Sequence, residues 1–450
     1  MSEVKNSAEV CVVNVIDAEG PLYESIGAKF DRINDLFSIN HLERTKENFL
    51  KLQNGEIDLG GVEKKIQKVL SKHLVNYNDT WDKIDTMLEE LMTEKFRMSI
   101  PDSYGNGWKF TWHCLDHVNY DYNPRRRDIG FHKVYDHYLE WLKRYPDLGD
   151  ELEWHYHPMS VYKDAHRCAT FYFSSDLVYQ ILARKIIERN WFPSCYKAGF
   201  EAERPDSNWF IEQWFPFDIT NMAVDDPKHF DSTIDFKNGR SGNWRNAPSD
   251  WSIYNPSHDN YQVPGNCRRF IGRALKVKNR LASIDLRETE KAFSKAAKEQ
   301  KPVLLGVTGH DFRNLATEAD FVRSLLLEAN KKYPEVKFRY CSVKEGFNRA
   351  IWGKNNNEEA LELEAEFFPK TSKDVPNIII KCVKGKVFGP QPFLAIKTKS
   401  RRFIYDNLDF IDENTWGYAF HGDTLPLDDV GKLSIAANDI YGNTCIKHII

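Results

Sequence analysis

The sequence predicts an α/β protein: a mostly parallel sheet or barrel with a helical insertion near its start and a small β-rich tail. Three observations predict it. Short β-branched runs alternate with amphipathic stretches over residues 10–352, the pattern of repeated βα units. A block of helical periodicity, about 22–100, follows the first such run. Beyond residue 365 helical spacing disappears, and short strand-like runs separated by Gly, Pro, Asn and Asp take over, which reads as a small sandwich. The expected division is therefore 1–365 and 366–450.

In order, Val10–Ile16 is a buried strand closed by Gly20-Pro21. Within the insertion, Ile66, Val69, Leu70 and Leu74 share one helical face, as do Trp81, Ile84, Met87, Leu88, Leu91 and Met92, with Asp79-Thr80 as a start signal. Lys109–Cys114 is a strand, Phe131–Tyr145 an amphipathic helix, and Glu151–His157 a strand stopped by Pro158. Ser174–Asn190 and Asn208–Trp214 are helices, and Phe217–Ile219 is a strand. Residues 221–269 form a long loop, a feature more often functional than not in a compact domain. Val303–Val307 and Lys337–Cys341 are strands flanking the helix Thr317–Tyr333. In the tail, Asn377–Val383, Lys386–Phe388, Phe393–Thr398, Arg402–Tyr405 and Trp416–His421 are strands.

Composition excludes several classes. With 41% hydrophobic and 28% charged residues, the 450-residue chain is neither disordered nor collagen-like. A net charge of −4 argues against a nucleic acid as principal ligand. No run approaches the ~20 apolar residues of a membrane helix, and Met1–Val10 lacks a signal-peptide pattern, so the expected location is cytoplasmic. The eight cysteines are scattered without a CxxC pair and read as free thiols.

Three constellations carry chemistry. In Asp17-Ala-Glu19 the two acids share a strand face at the end where barrels gather active sites. In Glu153-Trp-His155-Tyr-His157 two imidazoles share a face, which suits one metal held by His155 and His157, with a carboxylate and water in the remaining positions. In Gly-His310-Asp311 an imidazole just beyond a buried strand can protonate a leaving group, with Asp311 fixing its tautomer.

The order of Asp17-x-Glu19, Gly149-Asp-Glu-Leu-Glu-Trp-His155, Tyr196-Lys-Ala-Gly199 and Gly-His310 resembles the polysaccharide deacetylases of carbohydrate esterase family four, the NodB-homology group. The resemblance implies a distorted (β/α)7–8 barrel and a hydrolase removing acetyl groups from a carbohydrate. It implies a divalent metal, zinc being the expected ion, with Asp17 as base, His155 as metal ligand, His310 as acid and Lys197 where the family carries Arg. The chain departs from the pattern at Ala18, where the family has a second Asp, and at Met159, where it has a second His. Glu19 and His157 are the substitutes.

Trp244, Trp251 and Tyr254 in the long loop are candidates for stacking on sugar rings. Arg125–Arg127 and Arg268–Arg269 read as solvated charge. His113 and His117 read as strand-and-loop residues, not ligands. Two other functions fit the composition: a non-catalytic glycan-binding protein on the same barrel, and a glycosidase pairing Asp17 with Asp150, Glu201 or Glu203.

Overall fold

A computed structural model describes residues 8–118, 120–157, 177–225, 242–279, 282–353, 360–369 and 374–450. The β-branched run beginning the chain forms β1 (Glu9–Ala18), buried along its whole length. The insertion follows as α1 (Ile26–Phe37), α2 (Lys46–Asn54), α3 (Glu63–Val69), α4 (Lys72–Val75), α5 (Trp81–Leu91) and α6 (Glu94–Arg97). Hydroxyls of Ser25, Thr45, Thr80 and Thr93 accept backbone N–H bonds at four of these helix starts. The stripe from Ile66 to Leu74 belongs to two short helices, broken at Leu70-Ser71. Phe30, Ile33, Phe49, Leu52, Ile66 and Leu70 give the insertion a small core of its own. Ile84, Leu88 and Leu91 of α5 join the main core instead.

The chain then alternates: β2 (Thr111–Leu115), α7 (Lys133–Arg144), β3 (Glu151–Tyr156), α8 (Leu177–Arg189), β4 (Cys195–Ala198), α9 (Pro205–Trp214), β5 (Phe217–Asn221) and β6 (Phe270–Lys276). It continues with α10 (Leu286–Glu299), β7 (Pro302–His310), α11 (Leu315–Lys332), β8 (Lys337–Cys341) and α12 (Val343–Trp352). Strands β1 to β7 are parallel and close into a barrel through the β1–β2 pairing. The eighth strand also pairs with β1. Residues Glu9–Val13 face β8, whereas Val15–Ala18 face β2. One strand edge shared between two partners is the distortion of the barrel. Helices lie around it, as βα connections require.

Inside the barrel the character changes along the strands. Val13, Val15, Ile219, Leu304 and Phe347 fill the lower part as one apolar cluster. Toward the C-terminal strand ends the buried residues become Asp17, His113, His155, Lys197 and Thr308. The site therefore sits on a dry apolar floor.

The tail forms two antiparallel sheets from β9 (Glu362–Phe368), β10 (Asn377–Lys384), β11 (Phe393–Thr398), β12 (Phe403–Asp406), β13 (Asp409–Asp412), β14 (Thr415–Ala419), β15 (Val430–Asn438) and β16 (Thr444–His448). Their orders are β13-β14-β10-β9 and β12-β11-β15-β16. Ile378, Ile380 and Trp416 of one sheet share a core with Leu394, Ile396 and Ile435 of the other. Phe393 and Phe403 pack onto Ile181 and Trp214 of the barrel helices.

Several sequence expectations shift. Lys386–Phe388 is not a strand; it turns between β10 and β11. The 365/366 divide falls inside β9, which pairs with β10 in the tail. The structure adds elements that the sequence pattern does not mark: strands β4, β6, β9, β13, β15 and β16 and helices α10 and α12. Pro158, Met159 and Ser174 lie outside the described residues. All seven described cysteines are free. Among the described residues, no helix is long and apolar enough to cross a membrane.

Candidate functional site

The end of β1 places Asp17 opposite His113 of β2 and His310 of β7 in the strand register. Two residues on, Glu19 enters the turn at Gly20, which has φ +70°. A Cβ at Gly20 would also press to 3.0 Å from the Trp81 ring, so the turn favours glycine twice over. From β3, His155 and the following His157 project to the same mouth.

The imidazole Nε2 atoms of His155 and His157 are 3.0 Å apart. Glu19 Oε1 lies 3.7 Å from the first and 3.4 Å from the second. His310 Nε2 is 3.7 Å from both Glu19 Oε1 and Asp17 Oδ2. Asp17 Oδ1 is 3.9 Å from His155 Nδ1. Asp17, Glu19, His155, His157 and His310 thus converge, as their order along the chain suggested.

Glu19, His155 and His157 form a cluster able to hold a metal ion. Ligands at about 2.1 Å from a tetrahedral ion stand roughly 3.4 Å from one another, and the three separations here bracket that figure. The tautomer is set correctly as well. His155 Nδ1–H donates to the Lys197 carbonyl at 2.9 Å, which leaves the Nε2 lone pair facing the cluster. Asp17 Oδ1 is buried without a hydrogen-bond partner, an orphan acceptor beside the cluster.

The carboxylate is held from behind. Arg127 pairs with Glu19 Oε2, and its Nη1 donates to the carbonyls of Glu19, Gly20 and Pro21. His117 Nε2–H donates to the Glu19 carbonyl at 2.7 Å. Burial by itself raises the Glu19 pKa, but Arg127 and His157 outweigh it and hold the carboxyl well below its ordinary value. Asp17, deeper and less paired, is pushed up, chiefly by burial. Burial also holds His310 well below the usual imidazole range, and Arg313 and Lys276 add to it.

Glycine makes room for one ligand. A Cβ at Gly199 would lie 2.1 Å from His157 Cδ2 and 2.8 Å from its Cα. The next two residues, Phe200 and Glu201, both have left-handed backbone, φ 54° and 49°. Neither is glycine, so strain is concentrated beside the cluster. The turn sets the Phe200 ring 4.7 Å from that of His157. It also brings Glu201 to Lys276 at 3.0 Å, and Lys276 together with Lys197 overcomes burial to keep that carboxyl at about 2.

No protein-family model matches this chain, and no curated protein matches it in sequence. The site is therefore read from its own geometry.

Several anticipated roles are corrected. Asp311 does not orient His310. It accepts from the N–H groups of Glu19 and Gly20 and from the Tyr138 hydroxyl, so it fixes the turn carrying Glu19. Lys197 is fully buried, with Nζ 3.6 Å from Glu201, and is not among the residues that line the mouth. Trp244, Trp251 and Tyr254 are buried too. Trp244 and Trp251 donate to the Glu201 and Glu288 carbonyls and so pin the long loop to the elements around it, while the Tyr254 hydroxyl donates within the loop to the Tyr261 carbonyl; buried in this way, the three rings are packing residues.

Two arginines read as solvated are interior. Arg127 clamps Glu19, and Arg269 pairs with Glu203 at 2.7 Å. That pairing occupies Glu203, and Asp150 is bonded to Arg97 before β3 begins, at the opposite end of the barrel. Of the three glycosidase partners only Glu201 lines the mouth. Arg127, expected as solvated charge, and His117, expected as a loop residue, both support Glu19. The only available signal was their placement just after β2, where barrel mouths recruit residues.

Proposed function

We propose that this protein is a metal-dependent hydrolase removing acetyl groups from a carbohydrate, with Glu19, His155 and His157 as metal ligands and zinc as the ion. The carrying observation is the convergence of Asp17, Glu19, His155, His157 and His310 at one barrel mouth. Two imidazoles and one carboxylate leave further positions open, the arrangement of catalytic sites and not of closed structural ones. The resemblance to the NodB-homology deacetylases points the same way.

A divalent cation bound there supplies Lewis acidity and makes a nearby water more acidic. The chain's own groups divide the remaining work. Asp17 has a free oxygen and a carboxyl raised by burial, both suited to taking a proton from the attacking water. Glu19 stays an anion because Arg127 holds it. His310 is neutral by burial, so it must receive a proton before giving one to the departing amine or alcohol. Asp17 Oδ2, 3.7 Å from His310 Nε2, is the group placed to pass it on.

The test is metal content and acetate release from acetylated sugars by the purified protein. The wild type should hold about one zinc per chain. His155→Ala should lose both the metal and acetate release while keeping its fold. A protein that binds sugar equally well with and without chelator and never releases acetate would be a glycan-binding module.

A further inference from the structure

The helical insertion gives the site a wall. Helix α1 is amphipathic, with Phe30 and Ile33 turned into the insertion's own core. Its other face, Ala28, Asp31, Arg32 and Asp35 at helical spacing, is largely exposed, and what it borders is the mouth of the barrel. Those residues line the same cavity as Asp17, Glu19, His155, His157 and His310. Tyr120, Tyr122 and Pro124 of the segment after β2 line it as well. The cavity volume is about 560 Å³.

The wall is tied down. The two ends of α1–α4 meet where Leu22 N–H donates to the Asn78 carbonyl at 3.0 Å, and Tyr23 N–H donates to the Arg125 carbonyl at 3.1 Å. Asn78 N–H donates to the Phe312 carbonyl at 2.8 Å, and its amide donates to those of Asp311 and Arg313. Asn78 thereby fastens the insertion to the segment that carries His310. The Arg126 guanidinium lies 3.8 Å from the centre of the Tyr23 ring.

The wall also carries a recognition group. Glu24 pairs with Arg32 and lies 3.8 Å from Arg125, yet its Oε2 is buried with no hydrogen-bond partner. It lines the same cavity as the metal-ligand cluster. A buried carboxylate oxygen left unpaired is costly unless a ligand donor meets it.

We propose that the insertion converts the barrel mouth into a pocket for a compact acylated sugar, of about one or two rings by volume, and not a groove for internal residues of a polymer. Glu24 would receive a hydroxyl or amine of that sugar while the acyl group lies over Asp17 and His310. This rests on the hydrolase reading for the acyl end alone; the size limit comes from the cavity volume and the Glu24 contact from the segment leading into α1.

The test uses purified full-length protein supplied with zinc, with N-acetylglucosamine and its linear hexamer as probes. Acetate release and calorimetric binding are both measured, on the wild type, Ala28→Trp and Glu24→Gln. Ala28 is exposed on the cavity face of α1, so the ring fills the pocket and not the insertion core. Ala28→Phe repeats the change with less bulk, and melting curves with zinc content report folding. The expected result is that the monosaccharide is bound and turned over in preference to the hexamer. Ala28→Trp should weaken monosaccharide binding by about tenfold or more at unchanged zinc content, with Glu24→Gln weakening it less. Equal or tighter binding of the hexamer, or monosaccharide affinity indifferent to all three variants, overturns the pocket. So does failure to bind either probe. Binding that follows the pocket pattern without acetate release keeps the pocket and removes the hydrolase reading.

Discussion

Arg127 shows how one side chain outside the proposed metal-ligand set can govern it. Its guanidinium occupies Glu19 Oε2 and three successive carbonyls, so only Oε1 is left to face the imidazoles. A residue orienting a metal ligand is typically worth about 10–100-fold in metal affinity. Arg127→Met keeps the bulk and removes the donors. It should weaken zinc binding by that factor in competition titrations, beyond any loss of melting temperature. Zinc affinity equal to wild type would mean that Glu19 holds its place without the clamp. Arg127 was hard to recognise in the sequence because three consecutive arginines look like surface. Only Arg127 of the three is buried, and nothing local distinguishes it.

At the scale of elements, polar residues hidden between strands and helices explain most of the missed assignments. Strand β6 contains Arg273, buried against Glu288 of α10 and the Ala223 carbonyl, so its charge concealed a core strand. Helix α10 buries only a narrow apolar face, Ala292, Phe293 and Ala296, and the rest of it is mostly charged or polar. Strands with uninterrupted apolar runs, β1, β7 and β11, were legible because both faces are buried and both read as hydrophobic.

The same kind of burial ties α6 to the barrel. Arg97 donates from both terminal nitrogens to Asp150 at 2.6 and 2.8 Å, and Asp150 also accepts from Phe110 N–H and Trp112 Nε1–H. Asp150→Asn leaves a buried guanidinium without its counter-charge. The expected cost is about 3–5 kcal/mol, read as a lower denaturant midpoint at unchanged slope. A change under about 1 kcal/mol would show that the pair is solvated in solution.

At the scale of the molecule, pH also acts through a buried carboxyl below the metal-ligand cluster. Glu153 lies inside the barrel and accepts from Ser194 N–H, Ser194 Oγ–H and Cys195 N–H. Burial nevertheless raises its carboxyl to about 7. Between its ordinary value of 4.5 and about 7 the folded chain binds a proton that the unfolded chain has lost. Stability from this group is thus complete below about 4.5 and is lost as pH rises through about 7. The full contribution is on the order of 3 kcal/mol. Melting temperatures from pH 5 to pH 8 should fall more steeply in the wild type than in Glu153→Gln. Parallel curves would show that Glu153 is ionised throughout.

The sequence by itself determined the class of the fold, the alternation of strand and helix, the β-rich tail and the candidate acids and imidazoles. Each is a local property: periodicity reports which face is buried, and strand alternation reports which side chains share that face. Only the tertiary structure decided that Asp311 supports a turn, that the loop tryptophans are internal, that Arg127 clamps Glu19 and that α1 walls the cavity. Those outcomes depend on which residues distant in the chain meet across a closed barrel, and a closed barrel is fixed by all of its strands together.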